Sequence, residues 1–80
     1  MSTAAATQET KFAHWVKEYG VTNLVAEMRR RGPDTAITHS AAYQWLRHDH
    51  EPRPKKQRAL VEISGGAITL DDIAEHFALA

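Results

Sequence analysis

The chain has 80 residues, no cysteine and a formal net charge of zero at pH 7. That bounds it at one small domain and excludes a disulfide framework and a thiolate metal site. It also excludes a membrane span, because no apolar run approaches the roughly 20 residues needed to cross a bilayer.

Residues 1–7 are small, polar and aperiodic, and are expected to be a flexible N-terminus ahead of a domain over 8–80. They carry no basic segment followed by an apolar one, so no secretion signal is expected and the expected location is cytoplasmic. Phe12, Trp15, Val16 and Tyr19 recur at i, i+3, i+4 and i+7, which predicts an amphipathic helix from about Gln8 to Tyr19. Gly20 ends it. Thr22 is the expected cap of a second helix running to Arg31. Its stripe is Leu24, Val25 and Met28, with Ala26 a small contact. Gly32-Pro33-Asp34 is a stop-and-turn signal.

Residues 38–48 read as a third helix. Thr38 is its cap, and Ala42, Trp45 and Leu46 fall at i, i+3 and i+4, with Ile37 entering just before them. Its other face carries His39, Ser40, Tyr43, Gln44 and Arg47, which donate or accept hydrogen bonds and include no acid. His48 to Pro54 is a polar loop punctuated by proline. Pro54 suits the first turn of a fourth helix, where its missing N–H costs nothing, and that helix runs to Ser64. Leu60, Val61 and Ile63 are its apolar residues, and Lys55, Lys56 and Arg58 are exposed. Gly65-Gly66 stops it, and Ala67-Ile68 is read as extended. Thr69 caps a last helix in which Asp71 and Asp72 complement the dipole. Ile73, Phe77 and Leu79 give that helix an apolar surface, the expected site of self-pairing. The fold class is therefore all-α, a small five-helix bundle.

The zero net charge conceals a strong asymmetry. Residues 29–58 carry a net +5, whereas residues 61–80 carry −4 with no lysine or arginine. Position outweighs the sum when a partner is a polyanion. Arg53, Lys55, Lys56 and Arg58 surround the start of the fourth helix, whose free N–H groups also favour an anion, so Lys55 and Lys56 are expected to meet phosphate. Arg29, Arg30 and Arg31 end the second helix, where they equally complement its dipole.

The order Ile37-Thr38-x-x-x-Ala42-x-Gln44-Trp45 resembles the second helix of the helix-turn-helix in phage Cro and repressor proteins. The run Ile63-Ser64-Gly65-Gly66-Ala67-Ile68-Thr69-Leu70-Asp71-Asp72-Ile73 is similar to the tail of Cro-like and YdaS-like regulators, so the resemblance spans roughly residues 20–75. It implies a Cro/lambda-repressor-like fold and a sequence-specific double-stranded DNA-binding transcriptional regulator of phage or prophage type. Residues 38–48 would be the recognition helix. By family position His39, Ser40 and Gln44 would read bases, and Thr22 and Asn23, at the start of the second helix, would touch backbone. This chain departs from the family in one respect: the stretch from Ala26 to Thr38 is several residues longer. Either the second helix extends by more than a turn, or the connection is an unusual loop.

On chemistry alone, Gln makes a two-bond pair with adenine on its major-groove edge, and Arg, here Arg47, does the same for guanine. Thr38 and Tyr43 suit phosphate oxygens, which fix register. The expected DNA-binding set is therefore Thr38, His39, Ser40, Tyr43, Gln44, Arg47, Arg53, Lys55 and Lys56. One short helix reads few base pairs, so a homodimer on a pseudo-palindrome is expected, with half-sites about 34 Å apart or a multiple of that. The expected mechanism is steric occlusion or repositioning of polymerase at a promoter.

Other readings stay open. A small protein-interaction module, an antitoxin or a phage adaptor, would use the acidic C-terminal helix. A single-strand or RNA binder would use Trp15 and Trp45 as stacking platforms, although both lie in apolar stripes and read as core. His48, Asp49, His50 and Glu51 are metal-ligand types, but adjacent loop positions do not converge on one ion, and no metal or other cofactor is expected. Ser40, His39 and Asp34 do not amount to a triad without a shaped pocket, so no enzyme activity is expected. His14 and His76 read as outer-face residues.

Overall fold

In a computed structural model, which describes residues 9–78, five helices follow one another with no strand among the described residues. Helix α1 spans Lys11–Tyr19, α2 Val21–Arg30, α3 His39–Leu46, α4 Pro54–Ser64 and α5 Leu70–Ala78. No helix among them is long and apolar enough to cross a membrane. The N-terminal stretch 1–7, Gln8 and Leu79 lie outside the described residues.

Each boundary has a local cause. Thr10 opens α1, its hydroxyl oxygen accepting from the Ala13 N–H at 3.1 Å. Gly20 both closes α1 and opens α2. Its N–H donates to the Val16 carbonyl, its own carbonyl accepts from Leu24 N, and its φ of +95° is one that side-chain-bearing residues rarely adopt. Thr22 is thus not the cap of α2, which begins one residue earlier with no side-chain cap. Pro54 sits in the first turn of α4, and Gly65 ends it in the left-handed conformation. At α5 the caps are reciprocal: Thr69 Oγ1 accepts from Asp72 N at 3.2 Å, and an Asp72 carboxylate oxygen accepts from Thr69 N at 2.9 Å. Ala67 and Ile68 form a bend rather than an extended segment, with Ile68 N–H donating to Ser64 Oγ.

The long connection resolves as a loop. Helix α2 stops at Arg30, one residue short of expectation. Gly32 then turns at φ +131° and Pro33 follows it. The Thr35 hydroxyl donates to the Met28 carbonyl at 2.6 Å, and the Thr35 and Ala36 amides donate to the Gly32 carbonyl. These bonds fold the loop back on the end of α2 and deliver Ile37 into the core.

Phe12 and Val16 of α1, Leu24, Val25 and Met28 of α2, Ile37, Ala42 and Trp45 at α3, Ala59 and Leu60 of α4, and Ile68 and Ile73 form one core. Helix α1 packs on α2 and α5, α2 on α3, and α4 on α5. Four expectations are corrected. Ala26 is exposed. Leu46 is half-buried, packed against the core rather than within it. Ile73 is fully enclosed within the chain, and Phe77 is half-buried against it, so this stripe is core rather than a free pairing surface. His76 is not on an outer face: it is 1 % exposed, with its ring 5.1 Å from that of Phe12.

Candidate nucleic-acid interface

Helix α3 is positioned from beneath. Trp45 is 4 % exposed and Ala42 is fully buried, so the opposite side of the helix must face outward. Thr38 fixes its start: the backbone is extended there, and Oγ1 accepts from Ala41 N at 3.1 Å. That bond uses a lone pair, and the hydroxyl hydrogen stays available to donate. The helix proper covers His39–Leu46, with Arg47 as its C-cap, and His48 lies beyond it at φ +65°.

His39, Ser40, Tyr43 and Arg47 are exposed, Tyr43 at 48 %. They share one side of α3, with no acid in the first turn. Gln44 differs from expectation. It is half-buried and lines a cleft of about 310 Å³ with Thr38, His50, Arg53 and Lys56, whose floor includes Ile37 and Trp45. Its position follows from the register, since it adjoins Trp45 and lies toward the loop before α4. The start of α2 also reaches this face. Thr22 Oγ1 lies 3.3 Å from His39 Nε2, so the first turns of α2 and α3 meet at exposed polar groups.

The basic residues divide by partner. Lys55 pairs with the Asp34 carboxylate at 3.2 Å, Lys56 donates to the Asp34 carbonyl at 3.3 Å, and Arg47 pairs with Asp49 at 3.1 Å. Arg30 and Arg31 pair with Glu27, and Arg31 also with Glu62. Arg53 has no ion pair within 4.0 Å among the described residues. It precedes α4, which has neither a side-chain cap nor an acid in its first turn. Exposed pairs of this kind contribute at most about 1 kcal/mol, so an incoming phosphate exchanges partners at small cost.

The structure thus brings Thr38, Gln44, Arg53 and Lys56 around one cleft, with His39, Ser40, Tyr43 and Arg47 on the adjoining face of α3. Lys55 does not line that cleft; it borders a second one with Arg31, Asp34 and Arg58. Two residues outside the expected core set, Thr22 and His50, join the surface, and for Thr22 the signal was its place at the start of the second helix. No group of three or more His, Asp or Glu among the described residues is arranged to hold a metal ion. Compared with protein-family models, with curated proteins and with solved structures, the chain has no match.

Proposed function

We propose that the chain is a sequence-specific double-stranded DNA-binding regulator that reads the major groove with α3. The observation that carries this reading is the division of α3 into two sides. Trp45 and Ala42 are locked into the core while His39, Ser40, Tyr43 and Arg47 project outward beside basic residues. A helix held rigidly from below and offering short polar groups from its first turns is what a groove 12 Å wide admits, by the usual B-DNA dimensions of about that width. The sequence resemblance to Cro-like and YdaS-like regulators points the same way.

In this reading His39 and Ser40 meet base edges from the first turn of α3, with Arg47 further along. Thr38, Tyr43, Arg53, Lys55 and Lys56 engage phosphates, aided by the free N–H groups at the start of α4. Gln44 works from the cleft margin beside Arg53 and Lys56 and contributes more to register than to base choice. Two copies on a pseudo-palindromic operator would occlude polymerase, with the pairing surface lying elsewhere than the enclosed Ile73. The protein-interaction reading is less well supported, because Ile73 and Phe77 are committed to the core, leaving Leu70 as the large exposed apolar residue of α5.

Selection from random duplex DNA followed by a salt titration tests the proposal. A defined site with a steep loss of affinity at higher salt is expected, since phosphate contacts release counterions. Replacing Arg53 or Lys56 should reduce that slope by about one and leave the preferred site unchanged, whereas Ser40→Ala should cost about 1–3 kcal/mol and relax one position. Recovery of no duplex preference would defeat the reading.

A further inference from the structure

The end of α3 is tied to two other helices through one imidazole. His76 Nε2 lies 2.7 Å from the Trp45 carbonyl oxygen, which also accepts from His48 N at 3.1 Å. A carbonyl only accepts, so Nε2 carries the proton. Nδ1 of the neutral ring is then an acceptor, and the Thr10 hydroxyl donates to it while accepting from Ala13 N. One ring thus joins α5, the cap of α1 and the last turn of α3, and both its nitrogens have partners, whereas Nδ1 of the adjoining His48 ring is buried without one among the described residues.

Adding a proton strains this arrangement. The Thr10 hydroxyl must rotate so that its remaining lone pair accepts from the new Nδ1–H, and the ring now carries a charge in a site walled by Phe12 and Phe77. The His48 ring is stacked on it at 3.9 Å and 18°, a second imidazole that repels the charge when it is itself protonated. The other charged groups offer little relief. On the α1 side Lys17 and Glu9 are bonded to each other. After α3, Arg47 is paired with Asp49. On α5 itself Asp72 is paired with Lys11 at 3.8 Å, and Glu75 is exposed. Neither ring nitrogen of His76 meets a carboxylate among the described residues.

We propose that His76 is a positioning residue for α3, a latch that fixes the end of this helix at neutral pH and lets it go on acidification, so that duplex recognition weakens in acid. The functional half rests on the DNA-binding reading above. Acid also adds positive charge to the protein surface as a whole, which favours a polyanion, so the latch shows as a difference between the wild type and a variant that does not titrate at position 76.

His76→Gln supplies that variant: its amide N–H reproduces the donor to Trp45, its oxygen reproduces the acceptor for Thr10, and it does not protonate. The full chain is followed by amide hydrogen exchange, as protection factors, and by binding to a selected duplex from about pH 7.5 to about pH 5.5. Protection at Arg47, His48 and Asp49 should fall in the wild type while that at Met28 in α2 holds, and H76Q should show no such fall. Duplex affinity relative to H76Q should drop by about tenfold for each unit separating the latched and released pKa values. In the wild type alone, the ring-nitrogen shifts of His76 should report the Nε2–H tautomer and titrate in step with the loss of protection. Equal loss at Met28, equal loss in H76Q, or loss in step with His48 or His50 while His76 is unchanged overturns the latch. Lost protection with unaltered duplex binding overturns its functional half. Lost protection in a chain that binds no duplex at any pH leaves the latch standing and removes the DNA-binding reading instead.

Discussion

Replacing Trp45 with alanine removes the anchor on which the placement of α3 depends. The ring is 4 % exposed and lies in the same core as Ile37, Leu60 and Ile68. Truncation of an enclosed tryptophan costs about 3–5 kcal/mol, the lost transfer free energy plus the cavity left behind. Small domains have about 5–15 kcal/mol in total, so the variant should lose at least about a fifth of its stability. Trp15 gives the internal comparison. It packs against the core while keeping part of its surface in solvent, 5.3 Å from the Tyr19 ring, so Trp15→Ala should cost less, about 2 kcal/mol. Urea unfolding followed by circular dichroism measures both, and the single remaining tryptophan in each variant gives a second probe. A loss under about 1 kcal/mol for Trp45→Ala, or a larger loss for Trp15→Ala, would refute the claim that Trp45 is the inward side of α3.

Three further outcomes follow from the same geometry. Burial, and the repulsion of the neighbouring His48, hold the His76 pKa below the ordinary 6.5, while its bond to the Trp45 carbonyl opposes them only in part. The unfolded chain therefore binds the proton more readily, so stability is full above about pH 6.5, declines as pH falls through that value, and levels off once the folded form is also protonated; unfolding midpoints measured against pH should show this decline in the wild type and less of it in H76Q. Gly20→Ala should cost about 1–3 kcal/mol in urea unfolding, because a side-chain-bearing residue is strained at φ +95° and the new Cβ would stand 3.1 Å from Asn23 Nδ2, although that amide can swing away. Thr38→Ala removes the α3 cap and should cost about 1 kcal/mol, with faster exchange at the Ala41 amide.

Much of this molecule was legible because its helices are amphipathic with little ambiguity. The stripes through Phe12 and Val16, through Leu24, Val25 and Met28, and through Ala42 and Trp45 all face inward as their spacing requires. Caps and stops were legible where the residue has one local reason to be there, as with Thr38, Pro54, Gly65 and Thr69. Ala13 and Ala59 escaped notice as core because a small side chain carries almost no hydropathy signal, although it is what allows helices to approach closely. The burial of His76 is hidden in the sequence for a related reason. It falls at i+3 from Ile73 and beside Phe77, on the buried side of α5, yet its polarity argued for solvent. Its two partners, Thr10 and Trp45, are 66 and 31 positions away, so nothing local announced them. The half-burial of Gln44 likewise depends on where the loop before α4 lies, which the helix pattern does not encode.

The most direct test of the central claim is to titrate a selected duplex into the isotopically labelled chain and follow every backbone amide. The account predicts shifts concentrated at Thr22, His39, Ser40, Tyr43 and Arg47 and around Arg53 to Lys56, with α5 quiet. Shifts centred instead on Leu70, Asp71 and Glu75, or no response to duplex at all, would contradict it.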